Sequence, residues 1–274
     1  MENISSLNSP HIERVKALIG PRGKKNRELE NTFVVEGLQA VREALTPKIK
    51  EGLAVKKVYV TSTGLSKLQS EIEADLLNGH EIIEVSDQVM NAMADSQSPQ
   101  GILALCSTKS LKLSDLWARK PVKVAFFWQI QDPGNAGTVI RAADAFGFDA
   151  VIFSDNSVDI YSPKVVRSSA GSHWHIPLFT SISEGELKTQ LLGKAFDIYG
   201  TDASGGLELL EAANESKNRS AIWVFGNEAR GLDAKVISTL GAKQVAIPIS
   251  GKAESLNLAT AASVVMYAVS AARK

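Results

Sequence analysis

The chain has 274 residues, 44% of them hydrophobic and 22% charged, with 30 Lys+Arg against 30 Asp+Glu. That length holds two ordinary domains or one large one, and the composition excludes a disordered or fibrous chain. The zero net charge is unevenly spread: residues 11–60 carry eleven Lys/Arg against six acids, whereas residues 61–110 carry two against seven.

In chain order, "IERVKALIG" reads as a helix closed by "GPRG", followed by a polar stretch "KKNRELEN". The eleven basic residues here (Arg14, Lys16, Arg22, Lys24, Lys25, Arg27, Arg42, Lys48, Lys50, Lys56, Lys57) give the N-terminal part a face able to bind phosphate locally. Next come a strand "TFVVEG", a helix "LQAVREAL", a strand "KKVYVTS", a helix "LSKLQSEIEADLLN" and strands "EIIEVS" and "GILALCS". Strands alternating with helices predict an α/β domain over residues 1–107. Cys106 is the single cysteine; inside "ILALC" it reads as a core thiol, not a nucleophile. Residues 108–120 mix charge and polarity and read as a linker.

Residues 121–274 repeat the α/β pattern. Strand "VKVAFFWQI", loop "QDPGNAG", helix "TVIRAADAFG" and strand "AVIFS" come first. A loop, a helix and the strands "DIYGTD", "AIWVFG" and "QVAIPI" follow, and the apolar "NLATAASVVMYAVSAA" forms a last helix. About fifteen apolar residues there suit a buried or interface helix better than a membrane span. No apolar leader core opens the chain, so a cytoplasmic-type protein is expected.

This half is not a Rossmann dinucleotide domain, because "DPGNAG" replaces the GxGxxG turn, and it has no Walker lysine. It has instead three polar, glycine-bearing loops at strand ends: "DPGNAGTVIR", "FGNEARGL" and "IPISGKAESLN". Each alone is ordinary turn chemistry. Three of them, each at the carboxyl end of an apolar strand, suggest one composite site.

Asn135-x-Gly137-x-x-x-Arg141, Gly226-Asn227-Glu228-x-x-Gly231-Leu232, and Ile247-Pro248-Ile249 leading to Ser255-Leu256-Asn257 resemble the three motifs of the SpoU/TrmH family. That family belongs to the SPOUT superfamily and comprises RNA ribose 2′-O-methyltransferases. "KVVRSSAGSHWHIPL", between the first two motifs, is also similar. Residues 5–105 resemble, more loosely, the ribosomal-protein-like substrate-binding domain that many members carry. The resemblance implies a C-terminal domain with a deep trefoil knot, a homodimer, and S-adenosylmethionine bound within the knot. It places Thr201, Gly226, Asn227, Ile247, Ile249, Leu256 and Asn257 at the cofactor, with Gly226 letting the chain pass close to it. It makes Arg141, Asn135, Glu228, Ser255 and Asn257 the catalytic set.

Two readings of Arg141 stand. It either acts as the base for the 2′-hydroxyl, which is awkward for a guanidinium that holds its proton, or it positions a target phosphate while another group accepts the proton. Asn135 would orient Arg141 or the ribose, or simply cap a helix; Ser255 could likewise cap the last helix. Arg22, Lys24, Lys25 and Arg27 in "RGKKNR" either contact RNA phosphates or form a solvated loop. His173 and His175 lack a second ligand cluster, so an ordinary strand is expected there and no metal. The expected function is methyl transfer to ribose in 23S-type ribosomal RNA. A transfer-RNA substrate and a non-catalytic RNA-binding assembly factor are the alternatives.

Overall fold

In the computed structural model, residues 2–46, 53–108, 111–118, 121–202 and 205–273 are described, and they divide into two units. The first comprises Met1–Ser110 and Asp159–His175; the second comprises Leu111–Val158 and Ile176–Lys274. Lys48, Lys50 and part of the expected linker lie outside the described residues.

The first unit is built on β1 (Glu2–Ile4), β2 (Thr32–Glu36), β3 (Val55–Val60), β4 (Ile82–Val85) and β5 (Ile102–Ser107), in the order β1-β4-β3-β5-β2. β5 runs antiparallel to both β2 and β3, and the other pairs are parallel. The sheet is covered on both faces, which explains the unbroken apolar run in "ILALC". Ile102, Ala104 and Cys106 join Phe33, Val35 and Val58 in one core. Leu103 and Leu105 join Val34, Tyr59 and Ile83 in the other. Cys106 is buried, and burial pushes its thiol pKa up, as a core thiol requires.

Three local readings change. "GKKNRELE" is a helix, Gly23–Glu30, not a loop. The expected single helix over 65–78 is two, Ser62–Glu71 and Ala74–Asn78, separated where Ile72 turns extended. The expected linker contains the helix Leu113–Trp117, whose Leu113, Leu116 and Trp117 are buried in the second unit's core.

The segment 159–175 shows how tertiary contacts override position in the chain. Arg27, expected at RNA phosphate, is only 6% exposed. Its Nε and one terminal nitrogen donate to Asp159 Oδ2 at 2.9 and 2.6 Å, and its other nitrogen donates to the Leu18 carbonyl. All three guanidinium nitrogens are therefore engaged inside the unit. Tyr161 and Trp174 lie against Phe33, with ring centroids 4.8 and 6.1 Å away. Around His173 the backbone is a 3-10 turn, Ser172–Trp174, and not a strand. Ala170 and Gly171, both at positive φ, reverse the chain just before it. His173 is buried, with Nδ1 2.7 Å from Ser169 Oγ and Nε2 2.8 Å from the Ile160 carbonyl. His175 Nε2 meets Glu43 Oε2 at 2.9 Å. Among the described residues no cluster of three or more metal-ligating side chains occurs.

The second unit is a sheet of parallel strands. They are β6 (Lys123–Phe127), β7 (Ala150–Phe153), β8 (Leu178–Phe179), β9 (Asp197–Thr201), β10 (Leu207–Glu208), β11 (Ala221–Phe225) and β12 (Lys243–Ala246), in the order β10-β12-β9-β11-β6-β7-β8. β6 and β11 are buried at every residue, as central parallel strands must be. No described helix is long and apolar enough to cross a membrane.

Two outcomes follow. Arg27→Ala strands Asp159 in a half-dry site, and removing one partner of a buried pair costs about 3–5 kcal/mol; urea unfolding should show a lowered midpoint, whereas Lys24→Ala, at an exposed position, should leave it unchanged. Burial lowers the His173 pKa to about 4, against smaller opposing effects of the Ile160 carbonyl and Asp159. Folding thus favours the neutral ring: its contribution is whole above ~6.5 and is lost as pH falls through about 4. That loss is about 3 kcal/mol. Unfolding free energy measured from pH 7 to 4 should fall accordingly, with a shallower fall in His173→Gln.

Candidate functional site

The strand order β12-β9-β11-β6 sets four carboxyl ends side by side, and a ligand site is expected beyond such ends. Each of the three motif loops leaves one of them.

Most of the first loop is the start of a helix, Pro133–Ala145. Asp132 caps it, accepting from Asn135 N at 2.7 Å, and Pro133 occupies the first turn. Asn135 is therefore not the cap. Nor does it orient Arg141 along the helix: six residues separate them by roughly 9 Å of rise and about a third of a turn. Its side chain turns to the second loop instead, donating from Nδ2 to Glu228 Oε1 at 3.3 Å. Arg141 is exposed and has no hydrogen-bond or ion-pair partner among the described residues.

Glu228 joins the two loops. Its carboxylate accepts from Gln131 N at 3.2–3.3 Å, Asp132 N at 3.1 Å and Asn135 Nδ2. A carboxylate placed against the amino end of a helix is also favoured by the helix dipole. Glu228, expected in the catalytic set, is thus placed as a clamp between the first and second motifs. The bonds of Gln131 and Asp132 to Glu228 escaped the sequence reading because their backbone N–H groups make them.

The second loop is closed by Asn227, which is buried. Its backbone exchanges hydrogen bonds with Gly231 at 2.8 and 2.9 Å, and its side chain donates to the Gln129 carbonyl at 2.8 Å. Asn227 Oδ1 accepts from Ala229 N and Arg230 N. That side chain holds the turn together. The need for glycine at 226 has the same origin. A Cβ there would stand 2.1 Å from the Gly231 carbonyl carbon and 2.3 Å from Leu232 N. Gly231 and Leu232, where the chain returns, fill the space a Cβ would need.

The third loop is open. β12 ends at Ala246, earlier than expected, and residues 247–257 are irregular. From Pro248 to Leu256 no backbone group bonds to another described residue. Ile249 and Leu256 are each 37% exposed, and Ser255 is exposed, while Ile247 is half-buried. Unpaired backbone donors and acceptors interleaved with apolar side chains fit a ligand carrying both an aromatic base and polar groups. The last helix, Leu258–Ala272, is capped by Asn257, which accepts from Ala259 N and Thr260 N, so Ser255 does not cap it. Thr201, at the end of β9, donates through Oγ1 to the Val224 carbonyl at 3.2 Å, leaving its backbone at the cluster's edge. Arg22, Lys24 and Lys25 are exposed but belong to the other unit.

Gly226→Ala should therefore lower the thermal unfolding temperature together with S-adenosylmethionine binding, by scanning calorimetry and titration. Lost binding with unchanged melting would put a ligand, and not Gly231, against that position.

Two families match the chain: SpoU rRNA Methylase over residues 123–267 and the MRM3-like substrate binding domain over residues 10–104. The 23S rRNA (guanosine(2553)-2′-O)-methyltransferase RlmP of Bacillus subtilis is 34% identical over 97% of this chain and 98% of its own. The 23S rRNA (uridine(2479)-2′-O)-methyltransferase of Streptomyces viridochromogenes is 29% identical over 96% and 90%. Among solved structures, the AdoMet-bound rRNA methyltransferase of Sinorhizobium meliloti superposes with a TM-score of 0.82 at 25% identity, covering 98% of this chain and 97% of that one. Its match spans both units, and with the three clustered motif loops it fixes the identity: the chain belongs to the SpoU rRNA methylase family.

Proposed function

We propose that the protein transfers a methyl group from S-adenosylmethionine to a ribose 2′-hydroxyl of 23S-type ribosomal RNA. The observation that carries this reading is the third loop, whose backbone from 248 to 256 bonds to no other described residue, beside the clamped first and second loops. Ribosomal RNA is favoured over transfer RNA by the substrates named for the RlmP and Streptomyces relatives.

S-adenosylmethionine, when bound, would supply an electrophilic methyl on a sulfonium; the methyl would pass to the 2′-oxygen, S-adenosylhomocysteine would leave, and the hydroxyl proton would go to solvent or a neighbouring acceptor. The protein's part is placement, since holding reactants aligned contributes roughly 7–11 kcal/mol. Backbone groups at Thr201, Gly226, Ile247, Ile249, Leu256 and Asn257 would hold the cofactor. The Glu228 clamp fixes the Pro133–Ala145 helix, which carries Arg141. That guanidinium is exposed and unpaired by any described carboxylate, which suits the phosphate-positioning reading over that of a base. Arg22, Lys24 and Lys25 would add phosphate contacts from the substrate-binding unit, without Arg27.

Homodimer formation, the trefoil knot and a cytoplasmic site of action complete the proposal. Val264 and Tyr267, 37% and 62% exposed on the last helix, support a contact between copies.

Ribose-methylation mapping of 23S ribosomal RNA should show one site that disappears when the gene is deleted and returns with wild type but not with Arg141→Ala. The purified Arg141→Ala protein should still bind S-adenosylmethionine by calorimetry; loss of both would reassign Arg141 to the cofactor. An Arg22/Lys24/Lys25 charge reversal should weaken RNA binding and flatten its log–log salt slope by about 0.7–0.9 per lost contact.

A further inference from the structure

The motif residues leave one organised group unexplained, at the carboxyl end of β6. Gln129 is a non-glycine residue in the left-handed region, at φ +52°. Such a conformation costs about 1–2 kcal/mol for an L-residue and persists only where its surroundings impose it. They do so here from three directions. Gln129 N donates to Ser154 Oγ at 2.8 Å, and the Gln129 carbonyl accepts from Asn227 Nδ2 at 2.8 Å and from Gln131 Nε2 at 3.3 Å. Thus pinned, Gln129 presents its side-chain oxygen to the second motif, where Arg230 Nη2 donates to it at 2.8 Å. The Arg230 guanidinium lies 5.8 Å from the Trp128 ring centroid, within cation–π range.

Arg230 is thus a cation held in place by neutral groups. It is exposed and forms no ion pair with a described residue. Glu228, two residues before it, is engaged at the entrance of the Pro133–Ala145 helix and does not pair with it. Of the five guanidinium N–H donors one is taken by Gln129, and the neutral contacts leave the charge uncompensated. A rigid, planar, uncompensated guanidinium matches the two oxygens of a phosphodiester.

We infer that Arg230 binds a backbone phosphate of the RNA next to the target ribose, and that Gln129 is the positioning residue that sets its guanidinium plane. This rests on the proposed RNA-methyltransferase reading and deepens it. Nothing in the motif alone required an arginine at this place; the strained Gln129 gives it an orientation.

The test uses the full-length protein and in-vitro-transcribed 23S ribosomal RNA lacking modification. Methyl transfer by wild type is measured first, and its absence would defeat the functional reading by itself. With wild type active, Arg230→Ala should raise KM for RNA about tenfold with kcat changed much less, and should lower the salt slope of binding by about 0.7–0.9. S-adenosylmethionine affinity should stay at the wild-type value. Arg230→Lys should restore the slope but only part of the KM, since an ammonium keeps the charge and loses the planar fork. Gln129→Ala should raise KM in wild type and have no added effect in Arg230→Ala, the non-additivity expected of a residue acting through another. The inference is overturned if Arg230→Ala leaves slope and KM unchanged, weakens S-adenosylmethionine, or alters the mass in solution, which would place the guanidinium between copies.

Discussion

The site depends on the parallel pairing of β6 with β11. Their register runs from Ala221 beside Lys123 to Phe225 beside Phe127, so both strands end level. Trp128 N then donates to the Phe225 carbonyl at 2.9 Å, the last link before the chains part. From that point Gln129 must turn one way and Gly226 the other within a few ångströms, and the Asn227 side chain bridges them. Aromatic packing holds the ends in place: Phe127 stacks on Phe225 at 4.8 Å, with Phe153 behind it at 5.8 Å. Any change in that register would move the first and second motifs past one another.

Above this fixed base the polar groups divide into two kinds. Asp132, Asn227, Glu228 and Asn257 bond to backbone of the loops and helix ends they shape. Among the described residues, Arg141, Ser255 and the backbone of 248–256 have no hydrogen-bond partner, and the Arg230 guanidinium has only the neutral Gln129. The first kind makes the second possible, because a loop with unpaired backbone keeps its shape only when its flanks are anchored. Asn257 caps the following helix and β12 precedes it, so the open loop is held at both ends.

The first unit carries its own lesson. Asp159–His175 follows β7 in the chain yet folds with Met1–Ser110. Arg27–Asp159, Glu43–His175 and the burial of Trp174 hold it there. Burial is the largest single effect on Glu43 and would raise its pKa, but the hydrogen bonds and charges of His175 and Arg42 together outweigh it and keep the carboxyl below the usual carboxylate range. A residue in a basic run can thus be a core residue, as Arg27 is, while Arg22, Lys24 and Lys25 beside it remain at the surface.

The α/β class, the apolar strands that form both cores, and the three motifs with their family were legible in the sequence before any fold. These are written in local patterns: unbroken apolar runs, glycine and proline at turns, and fixed spacings. It could not show that Arg27 is buried, because its partner Asp159 lies 132 positions away. Nor could it show that Gly226 yields to Gly231, or that Glu228 holds the entrance of a helix more than ninety residues earlier. Those facts depend on which strand ends become neighbours, and parallel pairing between distant strands decides that. Gln129 is the sharpest case: a glutamine has no intrinsic preference for the left-handed region, and the long-range bonds from its N–H to Ser154 and from Asn227 to its carbonyl, with one local bond from Gln131, hold it there.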